Sequence, residues 1–225
     1  MPLAPPPLVN VAAPITRPYP EQRILWPTSC GYGDDGGSDS SAFPSLTAIK
    51  ARQAACPPEA LTAFVDAARR AQDRILVLDD FLFKPPQAGQ SRQSRYDQIL
   101  SWLPNGLVAN EIRFLTNAHE DQAERDAIQK LFNERATAIN QSAPRRAGKV
   151  TAEIRFSLGS SFSYVHDRFA IIDNELWHFG ATVGGLHHLV NAATRGWDAG
   201  AHDAVRFFND AWSGDGDAQR GGRHG

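Results

Sequence analysis

Apolar positions in the middle of the chain recur first with a helical period and then as a continuous run. Leu61, Phe64, Val65 and Ala68 lie three and four residues apart, which is the spacing of one face of an amphipathic helix. After Arg74 the sequence reads ILVLDDFLF, which has the length and composition of a buried strand. The pattern therefore predicts a helix that is followed directly by a strand of the core.

The same alternation continues to residue 212. Apolar spacing and turn residues predict a helix ending at 104–106, a strand at 111–116, a helix at 120–140, a strand at 150–158, two strands at 169–172 and 175–179, and helices at 186–193 and 202–212. Strands that alternate with helices and then follow one another directly are typical of an α/β protein with a mixed sheet. We predict a mixed-sheet α/β sandwich.

The two ends of the chain differ from this middle part. Residues 1–20 contain prolines at positions 2, 5, 6, 7, 14, 18 and 20, which exclude a helix or a central strand. Residues 23–26 predict a short edge strand, and the Gly-, Asp- and Ser-rich stretch 31–41 predicts a flexible loop. We expect a proline-rich tail and loop over 1–57, one folded domain over 58–212 and a polar tail over 213–225.

Composition narrows the class of protein. With 225 residues, 42% hydrophobic residues and 21% charged residues, the chain is long enough for one sizeable core. The net charge of −2 excludes the strongly basic surface of an obligate nucleic-acid binder. Cys30 and Cys56 lack metal-ligand spacing, which argues against a disulfide scaffold or structural zinc. Without an apolar run of about 18 residues or a signal-peptide pattern, we expect a soluble cytoplasmic protein.

One segment, VHDRFAIIDNELWHFGATVGG from residue 165 to 185, carries the strongest chemical pattern. It sets His166, Arg168, Asp173 and Gly180 at fixed intervals. Since residues two apart on a strand face the same way, His166 and Arg168 project together. An imidazole and a bidentate guanidinium suit a phosphate group. The alternative interpretation is that both residues end a strand and pair with surface carboxylates.

This spacing resembles the signature of the phospholipase D superfamily, in which His-x-Lys is followed by four residues, Asp, six residues and Gly-Ser. In that family the histidine attacks phosphorus, the lysine holds the phosphate and the aspartate orients the histidine. By position, the resemblance implies that His166 is the nucleophile, Asp173 its orienting carboxylate and Arg168 the phosphate-binding cation. The phosphate-binding loop would contribute Gly180 and Thr182.

The sequence departs from the family after the glycine. The family's serine and asparagine fall on Ala181 and Val183, whose side chains cannot hydrogen-bond a phosphate. The HDR form also resembles the phospholipase-D-like C-terminal domain of microtubule-interacting-and-trafficking proteins, which implies a lipid-phosphate binding module. A module that binds phosphate groups of nucleic acid or lipid without cleavage is therefore the main alternative to an enzyme.

The resemblance also implies a fold and a mechanism. Residues 58–212 follow the element order of one half of the phospholipase D fold, and the motif occurs once. A two-histidine mechanism then requires a homodimer, in which one imidazole attacks and the other protonates the leaving oxygen. The implied activity is a phosphodiesterase that needs neither metal nor cofactor, acting on nucleic acid more than lipid. A third hypothesis is a partner-binding domain that docks through the proline-rich tail.

Further residues are candidates for supporting roles. Arg195 and Asp198 in TRGWD, and His187 after a glycine pair, are possible members of a second layer around the site. A metal site built from His119 with Asp79 and Asp80 is an alternative to simple helix capping near residue 120. These assignments remain open at this point.

Overall fold

The computed structural model describes residues 21–26, 33–34, 38–39, 41–55, 60–84, 91–117, 121–142, 148–162, 165–187 and 189–214. In this part of the chain the strands are β1 (Arg23–Leu25), β2 (Gly33–Asp34), β3 (Ser38–Asp39), β4 (Arg74–Leu78), β5 (Glu111–Leu115), β6 (Thr151–Arg155), β7 (Arg168–Ile172), β8 (Glu175–Phe179) and β9 (Ala193–Asp198). The helices are α1 (Leu46–Ala55), α2 (Thr62–Arg69), α3 (Arg92–Leu100), α4 (Gln122–Ser142), α5 (Leu158–Ser161) and α6 (Ala204–Ser213).

Seven of these strands form one mixed sheet, in the order β1-β9-β8-β7-β4-β5-β6. β4, β5 and β6 run parallel, whereas β7 pairs antiparallel with both β4 and β8, and β9 pairs antiparallel with β8 and β1. β2 and β3 form a separate two-stranded pair. The predicted mixed-sheet α/β architecture is confirmed, and β7, which begins within the motif, is the middle strand of the large sheet.

Alternate residues of β4 point into two different clusters of apolar side chains. Ile75 and Val77 belong to the larger cluster, which includes buried residues of α2, α3 and α4, whereas Leu76 and Leu78 belong to a smaller cluster with α5 and α6. Such a strand is buried on both faces, which explains its continuous apolar sequence. Because the full burial of one large apolar side chain contributes about 1.5–3 kcal/mol, these two layers hold the sheet between them.

The amphipathic helix predicted after residue 60 is α2, and its Phe64 lies at the centre of an aromatic group. The Phe64 ring meets the rings of Trp102, Trp177 and Phe179 edge-on, at centroid distances of 5.0, 5.5 and 5.2 Å. Edge-to-face contacts of this kind are favourable beyond the area that they bury. They attach α2 to β8 and to the chain that follows α3.

The predicted helix at 186–193 is wrong. A short 3₁₀ turn, Val183–Gly185, lies before this segment, and β9 begins at Ala193. Gly184 and Gly185 have φ angles of 81° and 76°, a left-handed conformation that a right-handed helix does not continue. A Cβ on Gly184 would lie 2.6 Å from a ring carbon of Trp102, so the chain approaches this ring too closely for a side chain.

Several elements lie in the segment that we predicted to be tail and loop. β1 confirms the short edge strand at residue 23, but α1 was not predicted, because its sequence LTAIKARQAA has no clear apolar face. The short strands β2 and β3 fall within the predicted loop 31–41. Residues 1–20 and 215–225, for which we predicted tails, lie outside the described residues. In the described part of the chain no helix is both long and apolar enough to cross a membrane.

Candidate functional site

The motif residues lie at opposite ends of β7. His166 is exposed and precedes the strand, Arg168 is its first residue, and Asp173 follows its last residue. Five residues of extended chain span roughly 17 Å. The structure therefore brings His166 and Arg168 together at one end of the strand and holds Asp173 at the other.

Asp173 occupies the turn between β7 and β8 with a φ of 58°, a conformation that Asp and Asn adopt more readily than other side chains. Its carboxylate accepts the backbone N–H groups of Gln72, Asp73 and Arg74 at 2.9, 2.7 and 3.3 Å. Its carbonyl oxygen accepts Nε–H of Arg74 at 2.7 Å. These contacts tie the turn to the chain that enters β4, while an orienting role toward His166 stays a prediction.

Arg168 is held by two acidic residues that follow β4 directly. Its Nε donates to Oδ1 of Asp80 at 2.9 Å and lies 3.8 Å from Oδ1 of Asp79. The guanidinium also stacks over the Phe81 ring, 4.8 Å from the centroid. Only 14% of the Arg168 side chain is exposed, so its position is set by these contacts. Asp79 and Asp80, candidates from sequence for a metal site, are instead partners of this arginine.

Asp79 is a fully buried carboxylate in the middle of this cluster. Its Oδ1 accepts the backbone N–H of Phe81 and its Oδ2 accepts the backbone N–H of Val183, both at 2.7 Å. Burial raises the pKa of Asp79 to about 6, because desolvation outweighs these two hydrogen bonds and the attraction of Arg168. The group therefore changes charge close to neutral pH.

Arg95, from α3, is a second buried cation of this region and was not among the residues singled out from sequence. It is 3% exposed, and its Nη2 donates to the carbonyl oxygen of Leu186 at 2.7 Å. Its Nη1 is buried and has no hydrogen-bond partner within the described residues. Burial lowers the pKa of Arg95 to about 10, against the attraction of Asp79. The sequence did contain a sign of its burial, because Arg95 lies one helical turn before the apolar Ile99 and therefore on the same face of α3.

The loop after Gly180 is packed inward. Ala181, Thr182 and Val183 are all buried, and the N–H of Gly180 donates to the carbonyl of Ala192 at 2.9 Å. At the position of the family's asparagine, the backbone N–H of Val183 is used by Asp79. The ligand-binding roles of Thr182 and Gly180 remain predictions.

The other supporting candidates are dispersed. Arg195 donates to both carboxylate oxygens of Glu175 at 2.8 and 3.0 Å, and Asp198 accepts the Asn174 amide at 2.9 Å. Both pairs lie at the end of the sheet that carries Asp173. His187 lies after the 3₁₀ turn, where its Nδ1 accepts the backbone N–H of Leu189.

A metal centre finds no support in the described ranges, where no three His, Cys, Asp or Glu side chains are grouped closely enough to hold an ion. His119, the histidine that we considered for such a site, lies outside those ranges. The charged groups that the structure does bring together are two arginines and two aspartates.

Solved structures that resemble this chain include two distant neighbours. No protein-family model and no curated protein matches the sequence. Phosphatidylserine synthase of Haemophilus influenzae Rd KW20 superposes with a TM-score of 0.41 and 15% identity over 66% of this chain and 33% of its own. The archaeal chromatin protein TrmBL2, described as binding DNA in a novel mode, superposes with a TM-score of 0.35 and 14% identity over 66% of this chain and 46% of its own. The chain thus spans less than half of either neighbour, and similarities this low establish no function.

Proposed function

We propose that this protein is a phospholipase-D-like module that binds the phosphodiester groups of nucleic acid at His166 and Arg168 without cleaving them. The observation that carries the proposal is the fixed position of Arg168, which lies two residues after an exposed histidine at the same end of β7. Asp80 holds the Nε side of the guanidinium and Phe81 supports its face, so little side-chain entropy remains to be lost on binding. A preorganised arginine next to an imidazole is suited to an anionic oxygen.

Three features favour binding over cleavage. A histidine nucleophile needs a neighbouring group that fixes its ring and tautomer. In the described part of the chain His166 makes no hydrogen bond or ion pair, and Asp173 is engaged at the far end of β7. The loop that would complete the phosphate site in an enzyme of this type is turned toward Asp79.

We retain nucleic acid as the ligand class from the resemblance to the phospholipase D superfamily. The net charge of the chain limits the affinity that we expect for it. A chain with a net charge of −2 has no general attraction for a polyanion, so binding depends on a local contact. If Arg168 neutralises one phosphate of single-stranded DNA, the logarithm of the association constant should fall with the logarithm of the salt concentration with a slope of about −0.7.

The test is a binding and turnover assay in excess EDTA. Wild type, Arg168→Ala, His166→Ala and the control Arg206→Ala are compared on labelled single-stranded DNA, on anionic lipid vesicles and on bis(p-nitrophenyl) phosphate. Arg206 is an exposed arginine that pairs with Asp203, so its removal tests a general loss of positive charge. We expect DNA binding that Arg168→Ala weakens at least about tenfold, that Arg206→Ala preserves, and that is accompanied by no turnover.

Other outcomes would support a different function or contradict the proposal. Turnover that disappears in His166→Ala would establish the metal-independent phosphodiesterase, and sedimentation should then show the homodimer that a second histidine requires. Arg168-dependent binding to vesicles but not to DNA would show that the ligand is a lipid phosphate and not nucleic acid. Binding that is equal in Arg168→Ala and wild type would contradict the proposal.

A further inference from the structure

We propose that Arg95 is a second cation of the same phosphate site and that Asp79 occupies this site as an internal anion when no ligand is bound. The inference rests on the proposed function, because it concerns the ligand that Arg168 binds. It adds Arg95, from α3, as a residue that binds the ligand. It also adds Asp79, which follows β4, as a group that competes with the ligand for the site.

Asp79 already makes the contacts that a bound phosphate would make. One of its oxygens accepts the N–H of Val183, in the loop after the motif glycine, and the other accepts the N–H of Phe81. Arg168 lies 3.8 Å away, and Arg95 attracts the carboxylate from α3. Two backbone amides and two guanidinium groups form the usual environment of a buried phosphate oxygen.

Arg95 supplies an independent sign that the site is built for a ligand. A buried N–H group without a partner costs free energy that a stable fold normally avoids. Nη1 of Arg95 is such a group, while Nη2 of the same guanidinium fixes Leu186 just beyond the 3₁₀ turn. An incoming anionic oxygen at Nη1 would satisfy this donor and leave the contact with Leu186 intact.

The charges determine how the exchange takes place. The charged groups next to Asp79 are Asp80 from its own loop and Arg168 from β7. The loop after β8 meets Asp79 with the backbone N–H of Val183, and Arg95 from α3 binds the same loop at the carbonyl of Leu186 and attracts Asp79. Two arginines and two ionised aspartates give a net charge of zero. A phosphodiester adds one negative charge, and uptake of one proton by Asp79 restores neutrality. Ligand binding should therefore be coupled to protonation of Asp79.

The coupling predicts a pH dependence with a defined direction. Because burial raises the pKa of Asp79 to about 6, the carboxylate is ionised at pH 7.5 and mostly protonated at pH 5.5. A phosphodiester keeps its single charge over this range. If binding requires the protonated form, the affinity of wild type should rise about 20-fold between pH 7.5 and pH 5.5.

The experiment measures the dissociation constant of bis(p-nitrophenyl) phosphate by calorimetry at pH 5.5, 6.5 and 7.5. The variants are Asp79→Asn, which keeps an acceptor for Val183, Arg95→Met, and Arg92→Met as the matched control. Arg92 lies on the same helix with 48% of its side chain exposed and pairs with Glu124. We expect Asp79→Asn to bind about 30-fold more tightly than wild type at pH 7.5 and to lose the pH dependence.

Arg95→Met should weaken binding at least about tenfold at every pH, whereas Arg92→Met should match wild type. Since loss of a buried arginine can prevent folding, a second measurement follows the guanidinium ¹⁵N resonances of wild-type protein. Those of Arg95 should shift when ligand is added.

The outcomes separate the two proposals. Arg168-dependent binding with no effect of Asp79→Asn on affinity or pH dependence would overturn the internal-anion inference and leave the proposed function standing. An unshifted Arg95 resonance at saturation would remove Arg95 from the site, and its Nη1 would then be satisfied by solvent. Absence of Arg168-dependent binding in both wild type and Asp79→Asn would refute the proposed function as well.

Discussion

At one end of β7 the Asp173 carboxylate accepts three backbone N–H groups, whereas at the other end Asp79 and Asp80 share the positive charge of Arg168. The first carboxylate has partners that belong to the backbone and cannot move independently of the fold. The second arrangement depends on side-chain partners, and burial raises the pKa of one of them, Asp79, to about 6. Residues of one sequence motif thus have backbone partners at one end of a strand and charged side-chain partners at the other.

Charged groups near the two ends of β7 differ in the same way. Beyond the turn that holds Asp173, Glu175 is matched by both a bidentate Arg195 and the N–H of Gly196. Near Arg168, a buried guanidinium of Arg95 retains an unpaired N–H. The indole N–H groups of Trp26, Trp102 and Trp177 are also buried without a partner among the described residues, but the donor of Arg95 is the charged one of this set. A buried charged donor without a partner is expected at a ligand site. The contrast supports a ligand site at the Arg168 end and a structural role for the Asp173 end.

The largest expected effect comes from Gly184→Ala at the Arg168 end. The added Cβ would lie 2.6 Å from the Trp102 ring on a backbone with a φ of 81°, so both overlap and backbone strain oppose the change. We expect a loss of about 3 kcal/mol in the free energy of unfolding, measured with urea. Gly106→Ala is the control, because its Cβ would meet no atom within 4 Å. Equal stability of the two variants would show that the loop is not packed as described.

Asp173→Ala should have the next largest effect and act on stability alone. Three backbone N–H groups lose their acceptor and the turn keeps a φ of 58°, which predicts a loss of about 2 kcal/mol in unfolding free energy. Asp173→Asn, which keeps one acceptor oxygen and tolerates this φ, should recover part of the loss. If instead Asp173→Ala abolished phosphodiester binding in protein that is still folded, the comparison between the two ends would fail.

A smaller effect is expected from pH, through Asp79. Its pKa in the folded protein, about 6, exceeds its ordinary value of 3.8, so the folded state binds the proton more tightly than the unfolded state. This contribution to stability is present at low pH and is lost as the pH rises through about 6. Between pH 7 and pH 5, wild type should therefore gain about 1 kcal/mol relative to Asp79→Asn. A difference that stays constant over this interval would contradict the raised pKa.

Short-range sequence patterns predicted those helices and strands that are determined by residues close together in the chain. The apolar spacing around Phe64 and the run after Arg74 predicted α2 and β4, and the two consecutive strands predicted at 169–172 and 175–179 are β7 and β8. The helix predicted at 186–193 failed because the chain enters this segment through Gly184 and Gly185, which both have positive φ, and Gly184 lies against the Trp102 ring. That contact, between residues about 80 positions apart, is invisible to any short window of sequence.

The sequence predicted only part of the candidate site, for a similar reason. His166 and Arg168 were predicted to share one face and they lie at the same end of β7. The spacing of Asp173 could not reveal which end of the strand it would occupy, nor that its partners are amides about 100 residues away. Arg95 was overlooked because a lone arginine in a polar helix resembles a surface residue until Asp79 is placed opposite it.

The position of β7 in the sheet has a consequence for hydrogen exchange. β7 is the fourth of seven strands, with three strands on either side, whereas β1 is a three-residue edge strand that pairs with β9. Amide protons of β1 should exchange first by local fraying, and those at the centre of β7 only when the sheet opens as a whole. Opening of the edge would therefore leave Arg168 and the three charged groups around it in place, and their geometry should persist as long as the molecule stays folded.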